Sequence, residues 1–591
     1  MRRCPCNYIR SIAAPSVTFQ NASRRHRPFH KIVRSLSSKV LHEDATLTRA
    51  GSNCYSWGLG VLGGLGHGSY EHIDENDAKC LQTLVNEEIK SVACGWTTSL
   101  ALTGDGRIFE WGWEKNIVSL VTTGKRFARY PSFVERLQRL RWGWMTYDCA
   151  VTVPMEITQV RQFSSEDSSQ YETVAASNVT FVNIDAGSEF CVGLSDDGRV
   201  FTWGSGIRGQ LGHGDTMVSS NMNIPTQVRL QKQPSSAQTA SRFRPMKRAK
   251  AVSCGFQYLM VLDEDGDVWG CGKGATGCLG LLELHNATDR RQWHMANVRE
   301  SNLAYFLKQR QQHSSNNVAA PSMGGVLSEM MNNANSSNGN TKNKVIVGGG
   351  DPKNSMPTVA DVSAGLNHTL FLTEDGEVWA TGRNNNIELG LPDFYDRWAP
   401  SKVDLRSIVD GGEASFKEGE TIVQVSAGNM HSAALTNYGR VITWGMNRHG
   451  QCGVSHEKAI VNKNKDLYES LAKTACATPP TTLRIDSNTC PGVTTDKATR
   501  VFTGFYDTFV LMEDGNLVRV GAGISSLNYD FFSFPYDFAP VFTLHLALPL
   551  SRGGDNMNTN EEGERQYLIA KDLKQLSEIA CGWRHVLAIA N

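Results

Sequence analysis

The chain is 591 residues long, and its 59 lysines and arginines balance 59 aspartates and glutamates. Hydrophobic residues at 40% and charged residues at 20% describe a chain able to bury a core. No stretch reaches the ~18 apolar residues of a membrane-spanning helix; residues 542–550 are short and hold His545, so a helical membrane protein is excluded.

Residues 1–45 differ from the rest. Arg2, Arg3, Arg10, Arg24, Arg25, Arg27, Lys31, Arg34 and Lys39 all precede the first acid, Glu43, and serines are frequent. An Arg- and Ser-rich, acid-poor start is the composition of a mitochondrial transit peptide, here expected to be disordered. A basic arm on nucleic acid is the alternative. Setting those nine bases aside leaves 50 bases against 59 acids, a balance poorly suited to coating phosphates.

From residue 50 onward one unit recurs: a strand ending in a small residue and Gly, an apolar strand, an Asp-Gly turn and a strand ending in Trp-Gly. The clear copies are 92–112 (VACGWTTSLALTGDGRIFEWG), 184–204 (IDAGSEFCVGLSDDGRVFTWG) and 425–445 (VSAGNMHSAALTNYGRVITWG); weaker ones run 252–272, 362–382 and 501–521. Their anchors are Gly95, Gly187, Gly255, Gly365, Gly428 and Gly504. Asp105-Gly106, Asp197-Gly198, Asp265-Gly266, Asp375-Gly376 and Asp514-Gly515 predict type I′ hairpins, which need positive φ. Alternation of Ile108 with Glu110, and of Val200 with Thr202, predicts strands with one buried face. The small-x-Gly element removes bulk where strands crowd together, and the Trp of Trp-Gly is expected to pack between sheets.

The ends complete the pattern. Residues 579–590 (IACGWRHVLAIA) are a first half, and the matching second half is Tyr55-Ser56-Trp57-Gly58, followed by Gly64-Leu65-Gly66-His67-Gly68. Seven first halves and seven second halves predict an all-β, seven-bladed β-propeller over 50–591, closed by pairing of N- and C-terminal strands so that no sheet edge stays open. Long insertions between blades are expected at 116–180, 215–247, 281–355, 454–497 and 524–575. The third holds a Ser/Asn/Gly-rich stretch, 313–344, too polar to order itself. Of the 14 cysteines, Cys94, Cys254 and Cys581 precede anchoring glycines and none shows zinc spacing, so reduced structural thiols are expected.

These units resemble those of the regulator-of-chromosome-condensation family. Trp203-Gly204 continues into Gly209-Gln210-Leu211-Gly212-His213-Gly214, and Trp444-Gly445 into Gly450-Gln451-Cys452-Gly453, as in that family. The likeness covers half of residues 50–591, the remainder being insertions. An ultraviolet-B photoreceptor of the superfamily stacks tryptophans from three consecutive blades. Here Trp96 and Trp583 hold such positions, but Ser188 and Phe505 flank them, so the resemblance does not extend to photoreception.

Candidate sites are few. His368, His431 and His585 share one repeat position, as do His67 and His213, which points to a structural role. No nucleophile motif or phosphate loop is present, and neither catalysis nor a cofactor or metal is expected. Residues 131–142 (PSFVERLQRLRW) predict a short helix with Pro131 at its start. Phe133, Val134, Leu137 and Leu140 take one side and Arg136, Arg139 and Arg141 project elsewhere; Lys125, Arg126 and Arg129 precede it. Such a helix suits a membrane surface, an acidic partner or RNA, and equally a helix packed over the propeller. Arg242, Arg244, Lys247 and Arg248 form a second basic cluster, either an ordinary loop or a set of phosphate contacts.

The resemblance implies a non-catalytic mitochondrial interaction platform, in the matrix or on the matrix face of the inner membrane. It would help assemble or maintain the mitochondrial ribosome or a respiratory complex. Its partners would be protein subunits, with RNA contact and peripheral membrane association through the basic insertions. The alternative is guanine-nucleotide exchange on a small or dynamin-like GTPase, as the family's founding member performs on the nuclear GTPase Ran by binding the empty GTPase more tightly. A nuclear chromatin role is a third reading, against which the acidic body argues.

Overall fold

In this computed structural model the described residues are 53–113, 150–164, 170–214, 222–228, 246–305, 356–406, 416–453, 477–521, 542–544 and 576–590, apart from short gaps within them. They form seven sheets, one per blade of a propeller. From channel to rim the first blade reads Ile89–Cys94, Thr98–Thr103, Ile108–Trp113 and Ala150–Glu156. The seventh joins the chain ends: Leu576–Cys581 and His585–Ala590 pair onward with Asn53–Gly58 and Lys79–Cys80. Six consecutive pairs, from Asn53 with Ala590 to Gly58 with His585, close the ring.

Seven buried apolar clusters fill the seven interfaces between neighbouring blades. Trp57, Trp111, Trp203 and Trp444 are each at most 1% exposed, so the Trp-Gly tryptophans do pack between sheets. The expectation of one buried face per strand is corrected. Second and third strands such as Thr98–Thr103 and Val200–Gly204 are buried along their whole length, because each blade is sandwiched by two others.

The hairpins also differ from expectation. Thr103 and Arg107 pair across three residues, with Gly106 N bonded to Thr103 O at 3.0 Å. Gly106 has φ +88°, whereas Asp105 does not have positive φ. The turn is therefore type I followed by a left-handed glycine, not type I′. Asp105 serves by accepting the Thr103 hydroxyl and the Arg107 guanidinium.

The stretches read as insertions hold the outermost strands of five blades as well: Ala150–Glu156, Met222–Gln227, Arg291–Asn297, Ala477–Leu483 and Phe542–Leu544. Rim strands lie half in water and carry prolines, Pro154, Pro225, Pro479 and Pro480, which hides their strand signal and suits an edge. The second blade gains an extra hairpin, Gln159–Phe163 with Tyr171–Ala175, docked parallel on Met222–Gln227 at Thr226–Arg161. Its sheet has six strands.

A polar stitch joins adjacent blades. Ser99 Oγ donates to Gly64 O at 2.7 Å, so its contact with His585 Nε2 at 2.9 Å must be donated by the imidazole. His368 meets Ser432 and His431 meets Thr508 in the same way, each at 3.0 Å, and those hydroxyls donate to Glu388 O and Gln451 O. Burial lowers these imidazoles to about 3 for His368 and about 4 for His431 and His585. The repeated histidines thus hold blades together in the neutral form.

A lowered histidine pKa means that the unfolded chain takes up protons first. The stability is complete above pH ~6.5 and is lost as pH falls toward 4. Burial raises Asp507 and Glu388 to about 7 and Asp185 to about 6, and these act oppositely, weakening the fold as pH rises from ~4 toward 7. Gln at position 585 keeps a donor to Ser99 and removes one titration. In urea unfolding, His585→Gln is expected to lose less stability than the parent between pH 6.5 and 4.5; parallel profiles would refute the assignment.

Candidate interaction face

Each innermost strand turns into the second strand through Gly-x-x, and the seven glycines Gly95, Gly187, Gly255, Gly365, Gly428, Gly504 and Gly582 ring one end of the channel. A Cβ on Gly95 would sit 2.3 Å from Gly187 O, and one on Gly582 2.7 Å from Gly95 O. The residue after each glycine faces the channel mouth: Trp96, Ser188, Phe256, Leu366, Asn429 and Phe505. Trp96 crosses the mouth from the first blade, its ring 4.4 Å from Phe256 of the third and 6.1 Å from Phe505 of the sixth. Beneath it lies a cavity of about 110 Å³ that includes Cys94, Cys254 and Cys581 in its wall. Burial raises all three thiols well above their ordinary value, so they are unreactive thiols rather than nucleophiles. Trp583 lies outside the described residues.

Around this centre, on the same face, stand the loops that follow the third strands. Five of them repeat two stacked turns: Gly63 to Gly60 and Gly66 to Gly63, and likewise 206–212, 274–280, 384–390 and 447–453. The middle residue has positive φ in each: Gly63, Gly209, Gly277, Gly450, and in the fourth blade Ile387 at +62°. A β-branched residue there stores backbone strain of about 1–3 kcal/mol, held by complete burial of Ile387. Each loop pushes a carbonyl into the next interface; Gly64 O takes Trp111 Nε1 at 2.8 Å and Glu388 O takes Trp444 Nε1 at 3.0 Å. Between the first and second blades no described residue plays this part. Trp203 Nε1 donates instead to Glu110 at 3.1 Å, and a groove of about 310 Å³ opens beside Trp111, Met155, Ile224 and Pro225.

The basic residues singled out from sequence do not gather on this face. Lys125, Arg126, Arg129, Arg136, Arg139, Arg141, Arg242 and Arg244, with the expected 131–142 helix, lie outside the described residues. Lys247 and Arg248 are at the opposite, turn-bearing end. Lys247 pairs with Asp265 at 2.7 Å; Arg248 donates to Asp196 O and Asp197 O at 2.6 and 3.0 Å and lies 3.7 Å from Glu264. Arg248 braces the second-blade turn against the strand that opens the third. Phe256 was not singled out from sequence, although its place directly after an anchoring glycine marked it.

A family model for the RCC1-like domain matches residues 157–526, and models of the regulator of chromosome condensation (RCC1) repeat match 52–102 and 89–116. The chain belongs to the RCC1-like family. Among its relatives, the ultraviolet-B receptor UVR8 of Arabidopsis thaliana is 25% identical over 421 residues, which is 71% of this chain and 78% of the receptor. The mitochondrial RCC1 domain-containing protein RUG3 of the same plant is 28% identical over 288 residues, 45% of this chain and 54% of RUG3. Human WBSCR16 superposes with TM-score 0.52 at 15% identity, over 91% of this chain and all of that one. Yeast RCC1 (Prp20), solved bound to Kap60, gives 0.54 at 15% identity, over 91% and 89%. These structural likenesses speak for the RCC1-like fold alone.

Proposed function

We propose that this RCC1-like propeller is a non-catalytic interaction platform of mitochondria, helping to assemble or maintain a large complex such as the mitochondrial ribosome or a respiratory complex. The observation that carries the reading is the unbroken ring of seven packed interfaces. It makes a rigid body and presents loops from every blade, where recognition residues are commonly placed. The mitochondrial placement is supported by the Arg/Ser-rich start of the chain and by the similarity to RUG3, named as mitochondrial. Affinity purification of the tagged full chain from isolated mitochondria, with low- and high-salt washes, tests it. Ribosomal or respiratory-complex subunits are expected in the low-salt eluate. Exclusion of a fusion of residues 1–45 from mitochondria, or an eluate without complex subunits, would refute it.

Exchange on a small or dynamin-like GTPase is a second reading, favoured by the family alone. The structure of Prp20p from Saccharomyces cerevisiae, similar in fold with TM-score 0.53 at 16% identity, was described with its binding to Gsp1p and histones. A single dominant GTPase, retained most strongly when nucleotide is stripped, would bring this reading forward.

A further inference from the structure

Two cations stand beside the aromatic channel mouth. Lys273 directly follows the third strand's last glycine in the third blade, and its N–H is bonded to Gln257 O at 2.9 Å, one residue from Phe256. Arg208 comes from the second-blade loop, which crosses onto the third blade two residues later: Cys271 Sγ donates to Gln210 O at 3.6 Å. Arg208 is thereby brought near enough to Lys273 for the two charges to act on each other. Burial and then the Arg208 charge lower the Lys273 ammonium below its ordinary value, with Cys278 acting weakly the other way. Glu189 lies on the same rim, its carbonyl accepting from Ser205 N.

Elsewhere on the described surface many bases are neutralised locally. Arg107, Arg199, Arg397 and Lys402 each have a carboxylate within 2.8 Å. Arg383, at the position equivalent to Lys273 in the fourth blade, faces Glu388 at 3.9 Å. Lys273 is partly buried and Arg208 is exposed beside it, and holding two like charges close together is unfavourable unless an anion joins them. Apolar surface adjoins the pair: Ile207 is 37% exposed, and Trp96 and Phe256 are half-buried at the mouth.

We propose that Arg208 and Lys273, with Phe256 and Trp96, form the docking point for an acidic peptide segment of a partner protein that carries a bulky apolar side chain. The segment's carboxylates meet the two cations and its apolar residue covers the rings at the channel mouth. Central aromatics beside a partly desolvated cation are an arrangement in which a few residues can dominate an interface. This inference rests on the interaction-platform reading and adds the face and the partner's chemistry.

Fluorescence anisotropy on the purified chain would use a labelled twelve-residue peptide of Glu, Asp and Leu with one Trp. Its Gln/Asn counterpart, a Lys counterpart and a single-stranded RNA oligonucleotide serve as competitors. The acidic peptide is expected to bind and to weaken with salt, and at least tenfold with Arg208→Glu plus Lys273→Glu. Phe256→Ser should weaken it too, whereas Lys247→Glu on the opposite face should leave it unchanged. Equal binding by the double variant, preference for the Lys peptide or the RNA, or no binding of the acidic peptide would overturn the proposal. In the mitochondrial purification, partners recovered equally by parent and double variant would sink the docking point and spare the platform; a parent that recovers none would sink the platform.

Discussion

Replacing Gly95 by alanine is expected to cost about 3 kcal/mol of stability or to abolish folding, at the upper end of what overpacking a close-packed interior does. The added methyl would lie 2.3 Å from the Gly187 carbonyl oxygen and 3.3 Å from the Ala186 side chain. Neither can withdraw. Gly187 O already receives the Trp96 N–H at 3.3 Å, and a Cβ on Gly187 would itself be 2.7 Å from Gly255 O, so the crowding passes from blade to blade. Gly104→Ala is the matched control. Its φ lies outside the left-handed region and its nearest neighbour at 3.3 Å is the end of the Glu88 side chain, so a change within about 0.5 kcal/mol is expected. Urea unfolding of both variants decides; equal midpoints would show that the glycine ring is not a steric constraint.

The second large effect lies at the closure. Trp57 is 1% exposed in the blade built from both chain ends, where its ring meets Phe509 of the sixth blade edge-on at 6.4 Å. Trp57→Ala should cost about 3–5 kcal/mol, as truncation of a buried aromatic does. Trp444→Ala, inside a blade formed by consecutive strands, should cost a similar amount. The two should differ in cooperativity. Loosening Asn53–Gly58 leaves His585–Ala590 as an uncovered edge, with the interface between the seventh and first blades weakened. Trp57→Ala is therefore expected to lower the denaturant slope and to open the N-terminal strand to protease, while Trp444→Ala lowers the midpoint alone. Identical slopes and cleavage patterns would refute a special role for the closing blade.

Much of the fold was readable because its unit is local. Within about twenty residues the small-x-Gly, the apolar second strand, the turn and the Trp-Gly specify three strands in order. Repetition, and the split of one unit between the ends, made the ring follow. The rim strands were not readable. Arg291–Asn297 and Ala477–Leu483 follow loops of very different length, and their partners supply backbone hydrogen bonds rather than a side-chain pattern. The turn type was misread because Asp-Gly suits two hairpin geometries. Only the three-residue spacing between Thr103 and Arg107 separates them.

The candidate site divides in the same way. Gly95, Gly187 and their equivalents could be counted along the chain, and so could the residue that follows each one. That Trp96 reaches Phe256, two blades away, depends on how far a ring of seven sheets opens, which no local pattern encodes. Arg208 and Lys273 are 65 positions apart by their numbers and belong to different repeats; they come near each other because one blade's loop reaches the next blade's third strand at Gln210 and Cys271. The repeat, its sevenfold count and the joining of the two ends are legible along the chain, since these rest on hydrophobic period and turn chemistry. Which rings meet across the channel follows only from the packed fold, since contacts between blades are set by packing.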